Sequence, residues 1–197
     1  FEAVACQFRV CTTREKGCTM TSSHSSPPLE LDRPLEVGTE EWSQVDFYHL
    51  LNALVIPRPV GWISTLSTEG VRNLAPYSHF NLMGSDPFYV GFSSTEAKDT
   101  VTNVREVPEF VCNIVTMDLL ARMNFTSGDF PPAEDEFGWA GLTPVPSATV
   151  QPFRVAEAKA HIECELVQVV SDRNTHIVLG RVKHAHVDPS VWKLSLI

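Results

Sequence analysis

Alternating apolar and polar positions predict five β-strands along the chain. The clearest alternation is HIECELVQVV (161–170), where Ile162, Cys164 and Leu166 point to one face and the residues between them to the other. Similar patterns predict strands at 61–67, 88–94, 109–116 and 176–187. A turn at Thr68-Glu69-Gly70 is expected to lead from the first of these into a further strand. Because strands dominate and do not alternate with helices, the predicted fold class is mainly β, an antiparallel barrel or sandwich.

Helical spacing of apolar residues predicts three short helices. In EWSQVDFYHLLNAL (41–54), apolar residues recur every three or four positions after Ser43, a residue type that commonly caps a helix. Residues 98–107 and 117–126 show similar spacing, and Asp118 is the expected cap of the second. The proline-rich, acidic segment 127–148 is predicted to be a long functional loop.

The two ends of the chain differ from its middle. Residues 1–40 lack a core-forming pattern and contain the polar stretch TSSHSSPP, so we predict a largely disordered tail. Residues 41–188 are predicted to form one folded domain, which suits a chain of this length. Residues 189–197 continue past the last predicted strand.

Composition and charge exclude several classes of function. The net charge of −9 leaves no basic surface for nucleic acid or an anionic membrane. No apolar run approaches the roughly 20 residues of a membrane-spanning helix. The five cysteines are odd in number, and Cys112 and Cys164 lie in apolar strand patterns, where reduced core residues are expected. We therefore expect a cytoplasmic protein that binds neither nucleic acid nor a membrane.

The stretch NLAPYSHFN (73–81) interrupts a strand pattern with polar residues and a proline. Proline within a strand is typical of an edge or a bulge, where backbone groups are left unpaired. Ser78 and Asn81 add side-chain donors. The stretch therefore predicts either a rim that binds a flat heteroaromatic ligand or an ordinary barrel corner facing water, and the pattern alone favours the corner.

A second polar stretch, SSTEAKDT (93–100), precedes a predicted helix. Free N–H groups at a helix N-terminus attract anions, and Lys98 adds a positive charge. The alternative is ordinary capping by Thr95 or Asp99. Ser64 and Thr65, on an earlier strand, could add phosphate donors. A planar ligand that carries a phosphate, such as FMN, would satisfy these stretches together.

The order of several motifs resembles a known family. PRPVGWISTLSTEGVRNLAPYSHFN, DPFYVGFSS, KDTVTNVREVPEFVCNIVT, DEFGWAGLTPVPS and GRVKHAHVD resemble the flavin reductase-like, FMN-binding split-barrel family, in particular its flavoredoxin-type branch. The resemblance runs from Trp42 to Asp188. It implies an antiparallel split β-barrel that binds FMN, usually as a homodimer, with NAD(P)H as electron donor and a small-molecule substrate or redox partner.

The resemblance also implies roles for individual residues. It places Ser64 and Thr65 at the ribityl phosphate, and it places other residues at the isoalloxazine ring or the phosphate. The ring residues would be Asn73, Ala75, Tyr77 and Ser78, and the phosphate residues Ser93, Lys98 and Thr100. Trp62 and Phe80 are candidates for ring contact, although we expect Phe80 to belong to the core.

The family pattern ends early in this sequence. Members usually continue beyond the position of Asp188 into a segment with an Arg-Leu-Gly motif and a tyrosine that covers the flavin. Here PSVWKLSLI (189–197) has neither, so we expect a divergent, truncated carboxyl end. A non-catalytic module that binds FMN or another planar ligand is therefore the alternative to an NAD(P)H-dependent enzyme.

A metal site is the weakest of the alternatives. His184 and His186 lie two apart on a predicted strand and so share a face, and His161 or Glu163 could supply a third ligand. No spacing in the sequence requires this arrangement, and we predict no metal. No catalytic acid, base or nucleophile is assigned, since a flavin would carry the redox chemistry itself.

Overall fold

The computed structural model describes residues 36–192. Five helical segments and nine strands lie in this range. The helices are α1 (Gln44–Leu54), α2 (Asp99–Glu106), α3 (Leu120–Phe125) and α4 (Glu136–Trp139), with a 3₁₀ turn at Met117–Leu119. The strands are β1 (Gly61–Leu66), β2 (Arg72–Tyr77), β3 (Phe80–Ser85), β4 (Phe88–Thr95), β5 (Glu109–Ile114), β6 (Pro144–Val145), β7 (Arg154–Val155), β8 (Ala160–Asp172) and β9 (Thr175–Val187).

Seven of the strands form one sheet, and its pairings are antiparallel, as the sequence predicts. Their order is β2-β1-β5-β8-β9-β4-β3, and β6 pairs with β7 separately. The long hairpin of β8 and β9 provides the centre of the sheet, and β2 and β3 form its two edges. The mainly β, antiparallel fold class is therefore confirmed.

Strand β2 shows how the sheet accommodates Pro76. The backbone N–H of Leu74 donates to the Glu136 side chain at 3.1 Å, so this N–H points away from β1. Along an antiparallel strand, the backbone groups of successive residues point alternately toward and away from the neighbouring strand. Pro76, two residues after Leu74, therefore also has its backbone nitrogen pointing away from β1. Its missing N–H costs no bond to β1, and the edge position expected for a proline is confirmed.

Strand β1 is buried on both faces. Ile63 belongs to a core cluster with Tyr77, Phe92 and Phe110, which lies inside the curved sheet. The neighbouring Trp62 points to the opposite face, where it packs in a second cluster that includes residues of α3 and α4. Neither Trp62 nor Ile63 is exposed to solvent. The segment from α3 to α4 therefore covers the outer face of the sheet near β1 and β2.

The helix predictions hold in position, but of the predicted caps only that of α1 is confirmed. Ser43 Oγ accepts from the Asp46 N–H at 3.1 Å at the start of α1, as expected. The cap of α2 is Lys98, with no side-chain cap bond, so capping by Thr95 or Asp99 is wrong. The Asp118 cap is also wrong, because Asp118 lies inside the 3₁₀ turn that precedes α3.

Two compact units are distinguished along the chain, with a boundary after Tyr48. In the first, residues 36–48 include a turn and the start of α1; in the second, residues 49–192 contain the whole sheet. Residues 1–35 of the predicted tail 1–40, and the terminal residues 193–197, lie outside the described range. Within that range, no helix is both long and apolar enough to cross a membrane.

Candidate functional site

A cavity of about 410 Å³ lies beside the edge strand β2. Its walls come from three stretches that are distant in sequence. They are residues 73–79, residues 93–100 at the junction of β4 and α2, and residues 126–136 between α3 and α4. The two polar stretches singled out in the sequence therefore meet in one place, and part of the predicted functional loop joins them.

Seven of the nine residues predicted to bind a cofactor line this cavity. Residues of β2 and the following bend form one side, and residues of β4 and the start of α2 form another. The seven are Asn73, Ala75, Tyr77, Ser78, Ser93, Lys98 and Thr100. The structure does not bring Ser64 and Thr65 to the lining.

Ser64 lies on the other face of β1. It is fully buried, and its Oγ donates to the Phe153 carbonyl at 2.6 Å and accepts from Asn113 Nδ2 at 3.1 Å. Neighbouring residues of a strand point to opposite faces, so Ser64 and Thr65 cannot both reach one phosphate. The predicted phosphate contact of Ser64 is therefore replaced by a structural role.

Thr65 lies one layer behind the cavity. Its Oγ1 accepts from Asn73 Nδ2 and from Asn103 Nδ2, each at 3.1 Å, and its side chain is buried. Asn73 Nδ2 also donates to Thr100 Oγ1 at 2.9 Å. This network joins β1, β2 and α2, so Thr65 fixes the positions of two lining residues instead of contacting a ligand directly.

Lys98 carries the positive charge at the cavity. It stands at the N-cap of α2, where the helix dipole also favours an anion. Its Nζ lies 3.6 Å from Asp129 Oδ1 on the opposite segment, and both side chains are substantially exposed. The pair is therefore weak, and an anionic ligand could displace the Asp129 carboxylate.

Tyr77 contributes a hydroxyl without a hydrogen-bond partner among residues 36–192. Its side chain is 8% exposed, and its ring packs 4.8 Å from the Phe92 ring, centroid to centroid. Burial raises the pKa of Tyr77, and the nearby hydroxyls of Thr100 and Ser94 oppose that rise without meeting hydrogen-bond geometry. A buried donor without a partner is costly, so this hydroxyl is suited to binding a ligand atom.

Phe80 and Trp62, the two further candidates for ring contact, both lie in the hydrophobic core. Phe80 is buried in the inner cluster, as expected. Trp62 does not line the cavity; its Nε1 donates to Thr126 Oγ1 at 2.8 Å from the outer cluster. Thr126 itself does line the cavity, so Trp62 supports the wall from behind.

Sequence reasoning missed Glu136, the buried acid of the cavity. Glu136 begins α4 and is 5% exposed. Burial raises its pKa to about 7, and hydrogen bonds from its own N–H and from Leu74 N–H limit the rise. The signal was the pair Asp135-Glu136 before Phe137, where Asp135 Oδ1 caps α4 through the Phe137 N–H at 3.0 Å. An acid that follows a helix cap and precedes a buried aromatic residue is held close to the core.

The histidine cluster on β8 and β9 is arranged differently from a metal site. Glu163 accepts from Thr149 Oγ1 at 2.6 Å and hydrogen-bonds His186 Nε2 at 2.6 Å, so its oxygens are already used. His161 Nε2 contacts the Val155 carbonyl at 2.8 Å. Within residues 36–192, no group of three or more His, Cys, Asp or Glu is placed to hold a metal.

Comparison with known proteins gives the family. The flavin reductase like domain matches residues 53–194, most of the chain. The chain belongs to the flavin reductase-like family. This confirms the resemblance stated from the sequence, and it identifies a flavin-related, redox type of protein.

Solved structures agree with this family assignment. Nitrilotriacetate monooxygenase component B from Bacillus cereus is 32% identical with a TM-score of 0.79, covering 83% of this chain and 86% of that one. The 2-nitrobenzoate 2-nitroreductase NbaA from Pseudomonas fluorescens is 28% identical with a TM-score of 0.74, covering 80% and 78%.

A third solved structure bears on the fold. A flavin reductase-like protein with a split barrel domain from Shewanella frigidimarina has a TM-score of 0.73 at 21% identity, covering 82% of this chain and 84% of that one. At this identity the likeness concerns the fold alone. It confirms the split-barrel arrangement of the flavin reductase-like family for this chain.

Proposed function

We propose that this protein binds FMN non-covalently in the cavity and passes electrons from NADH or NADPH through it to a small-molecule substrate or redox partner. The observation that carries the proposal is the meeting of seven predicted cofactor residues, from two separate stretches, in one cavity. The volume of about 410 Å³ is within the range of cofactor sites.

The chemistry of the lining residues fits a phosphorylated planar ring. Lys98 and the N-terminus of α2 would hold the phosphate, with Ser93 as a further donor. Asn73, Ala75, Ser78 and the unpartnered hydroxyl of Tyr77 would contact the ring. When bound, the flavin would supply the hydride-accepting ring, and the protein would bind and orient it.

FMN is proposed in preference to FAD because of the charges at the cavity. Lys98 is accompanied there by Glu96, Asp99, Asp129 and Glu136. One lysine and one helix N-terminus suit a single phosphate, whereas a second phosphate would meet carboxylates. FMN should therefore bind more tightly than FAD.

An absorbance spectrum and a flavin titration test this proposal. Concentrated protein mixed with FMN and passed through a desalting column should retain a flavin spectrum, and fluorescence titration should give a lower Kd for FMN than for FAD. Oxidation of NADH or NADPH by the FMN-loaded protein should follow. Equal affinity for FMN and FAD would contradict the FMN assignment, and FMN binding without NAD(P)H oxidation would favour the non-catalytic module.

We also propose that the protein acts as a homodimer in the cytoplasm. The support is the exposure of apolar side chains on α1, none of whose residues is buried: Val45, Tyr48, Leu51 and Leu54. The proposal of a cytoplasmic location has a separate support: Cys112 and Cys164 are buried free thiols, and a reducing compartment keeps thiols in this state. Light scattering after size-exclusion chromatography should give twice the mass of the chain, and a monomer mass would contradict the dimer.

A further inference from the structure

Glu136 lines the cavity as a buried carboxyl group. It is 5% exposed, and its Oε2 accepts from the Leu74 N–H at the free edge of β2 at 3.1 Å. The short helix α4 and strand β2 hold it in place from two sides. The side chain of Glu136 is therefore held at the cavity by its place in α4 and by its hydrogen bond to β2.

Glu136 has no cationic partner within residues 36–192. None of the ion pairs in this range includes it. The nearby guanidinium of Arg72 instead contacts Asp135, with Arg72 Nε 2.9 Å from Asp135 Oδ2. A buried carboxylate without a compensating cation is costly in its ionised form, so the neutral acid is favoured.

Tyr77 gives a second, independent observation at the same cavity. Its hydroxyl is buried and without a hydrogen-bond partner in the described part of the chain. Tyrosine and a neutral carboxylic acid can each donate one O–H. The cavity therefore presents two donors that the protein itself leaves available for an acceptor.

We propose that Glu136 binds the ring of the cofactor as a neutral carboxylic acid, donating a hydrogen bond to an acceptor atom of the heteroaromatic ring beside the Tyr77 hydroxyl. This inference rests on the proposed flavin site and assigns that site a residue that recognises the ring. Ionised Glu136 can only accept hydrogen bonds, so ligand affinity falls when the proton is lost. Burial places that loss at about pH 7 in the protein without ligand.

Other charged groups around Glu136 set the background for this titration. Asp99 from α2 and Asp135 from its own loop both raise the pKa of Glu136, after burial as the main cause. On β2, Arg72 is bound to Asp135, and Tyr77 faces the cavity. The remaining titratable residues of the lining are His79, Glu96, Lys98 and Asp129.

Riboflavin binding at two pH values tests the donor role directly. Riboflavin lacks the phosphate, whose own pKa near 6 would complicate measurements with FMN. If only the neutral form of Glu136 binds, the Kd of the wild-type protein for riboflavin should rise about tenfold between about pH 6 and about pH 8. Binding should also take up a proton near pH 8, measurable by calorimetry in buffers of different ionisation enthalpy.

Two variants and one control sharpen the test. Glu136→Gln keeps an N–H donor at every pH, so its riboflavin affinity should stay close to the wild-type value at low pH throughout. Tyr77→Phe should weaken binding about two- to tenfold at both pH values, without changing the pH dependence. Glu96→Gln neutralises an exposed acid of the same cavity and should keep the tenfold pH effect.

The outcomes separate this inference from the proposed function. Riboflavin affinity that does not change with pH, or an unchanged pH effect in Glu136→Gln, overturns the donor role while flavin binding stands. A pH effect seen with FMN but not with riboflavin also overturns it, because charge repulsion of the phosphate would then suffice. Failure of both flavins to bind at either pH overturns the proposed function, and this inference with it. If Glu136→Gln does not fold, the wild-type riboflavin measurements decide alone.

Discussion

Two buried glutamates of this protein lie in opposite electrostatic surroundings. Glu163, on β8, is fully buried and accepts from Ala148 N–H and Thr149 N–H, each at 2.7 Å. Burial alone would raise its pKa, but these bonds, together with those from Thr149 Oγ1 and His186, lower it to about 2. Glu136 accepts a bond from Leu74 N–H, has no cationic partner within residues 36–192, and has its pKa raised to about 7 by burial.

The difference teaches that burial does not decide the role of an acidic residue. Around Glu163, the donors converge on a charge that stays ionised and holds the segment at Ala148 and Thr149 against the sheet. Around Glu136, donors are few and the group opens onto a cavity, so its proton can respond to a ligand. The number of donors separates a structural carboxylate from one suited to binding.

The largest effect is expected from removing the structural carboxylate. Glu163→Ala leaves the Ala148 and Thr149 N–H groups and His186 without their shared acceptor, and should lower the free energy of unfolding by about 3–5 kcal/mol. Chemical denaturation would measure this loss. Glu165→Ala, on the same strand but exposed, should change stability by less than about 0.5 kcal/mol.

The same residue predicts a dependence on acid. Because the folded pKa of Glu163 is lowered from 4.5 to about 2, its stabilising contribution is complete above about pH 4.5 and is lost as the pH falls towards 2. The wild-type protein should lose this part of its stability in that window, and Glu163→Ala should not. Parallel acid titrations of the two proteins would contradict the structural role.

On the cavity side, Lys98 should give the next largest effect. Lys98→Ala removes the cation of the proposed phosphate site, and FMN binding should weaken by about 1.5–3 kcal/mol, the range for a charge-assisted hydrogen bond. Riboflavin affinity should barely change, since riboflavin has no phosphate. Equal losses for the two ligands, measured by fluorescence titration, would remove Lys98 from the phosphate site.

Replacing Glu136 should affect stability less than replacing Glu163. Its pKa is raised in the folded protein, from 4.5 to about 7, so the stability of the wild-type protein should decline as the pH rises through this window. Glu136→Gln removes that decline while the Gln oxygen can still accept from Leu74. We expect its melting temperature, relative to wild type, to be about 5–10 °C higher at about pH 8 than at about pH 5, because the pKa shift corresponds to a loss of about 2–3 kcal/mol in the wild-type protein over that range. A constant difference across this range would make Glu136 resemble Glu163.

The smallest effect concerns the Lys98–Asp129 pair. Asp129 is almost fully exposed, and its carboxylate would compete with a phosphate for Lys98. Asp129→Asn should therefore strengthen FMN binding by roughly two- to fivefold and leave riboflavin binding unchanged. Weaker FMN binding in this variant would show that Asp129 supports the site instead of competing for it.

Much of the fold follows from short patterns in the sequence. The alternation of Ile162, Cys164 and Leu166 gave the correct inner face of β8, and Pro76 gave the correct edge position of β2. Strand β3 was missed because its residues are mostly exposed and show no alternation in FNLMGS. The covering of the outer face near Trp62 depends on contacts between distant segments, which no local pattern contains.

The candidate site was predictable where each residue acts through its own stretch. Tyr77, Ser78 and Lys98 reach the cavity because the polar stretches that contain them are its walls. The sequence could have excluded a shared contact of Ser64 and Thr65 with one phosphate, because adjacent strand residues face opposite ways. It could not show that neither residue lines the cavity. The cap at Asp135 could have marked Glu136 as close to the core, but its place at the cavity could not be predicted, since that depends on the packing of α4 against β2, more than fifty positions earlier in the chain.

The outward-facing edge of β2 also bears on how the chain avoids polymerising. An exposed edge strand is a template on which another chain can add a strand, and repeated addition leads to fibres. Here Pro76 offers no N–H on that side, and the N–H of Leu74 is already taken by Glu136. Pro76 and Glu136, which both line the cavity, thus also remove two of the backbone donors that a second molecule would need to pair with this edge.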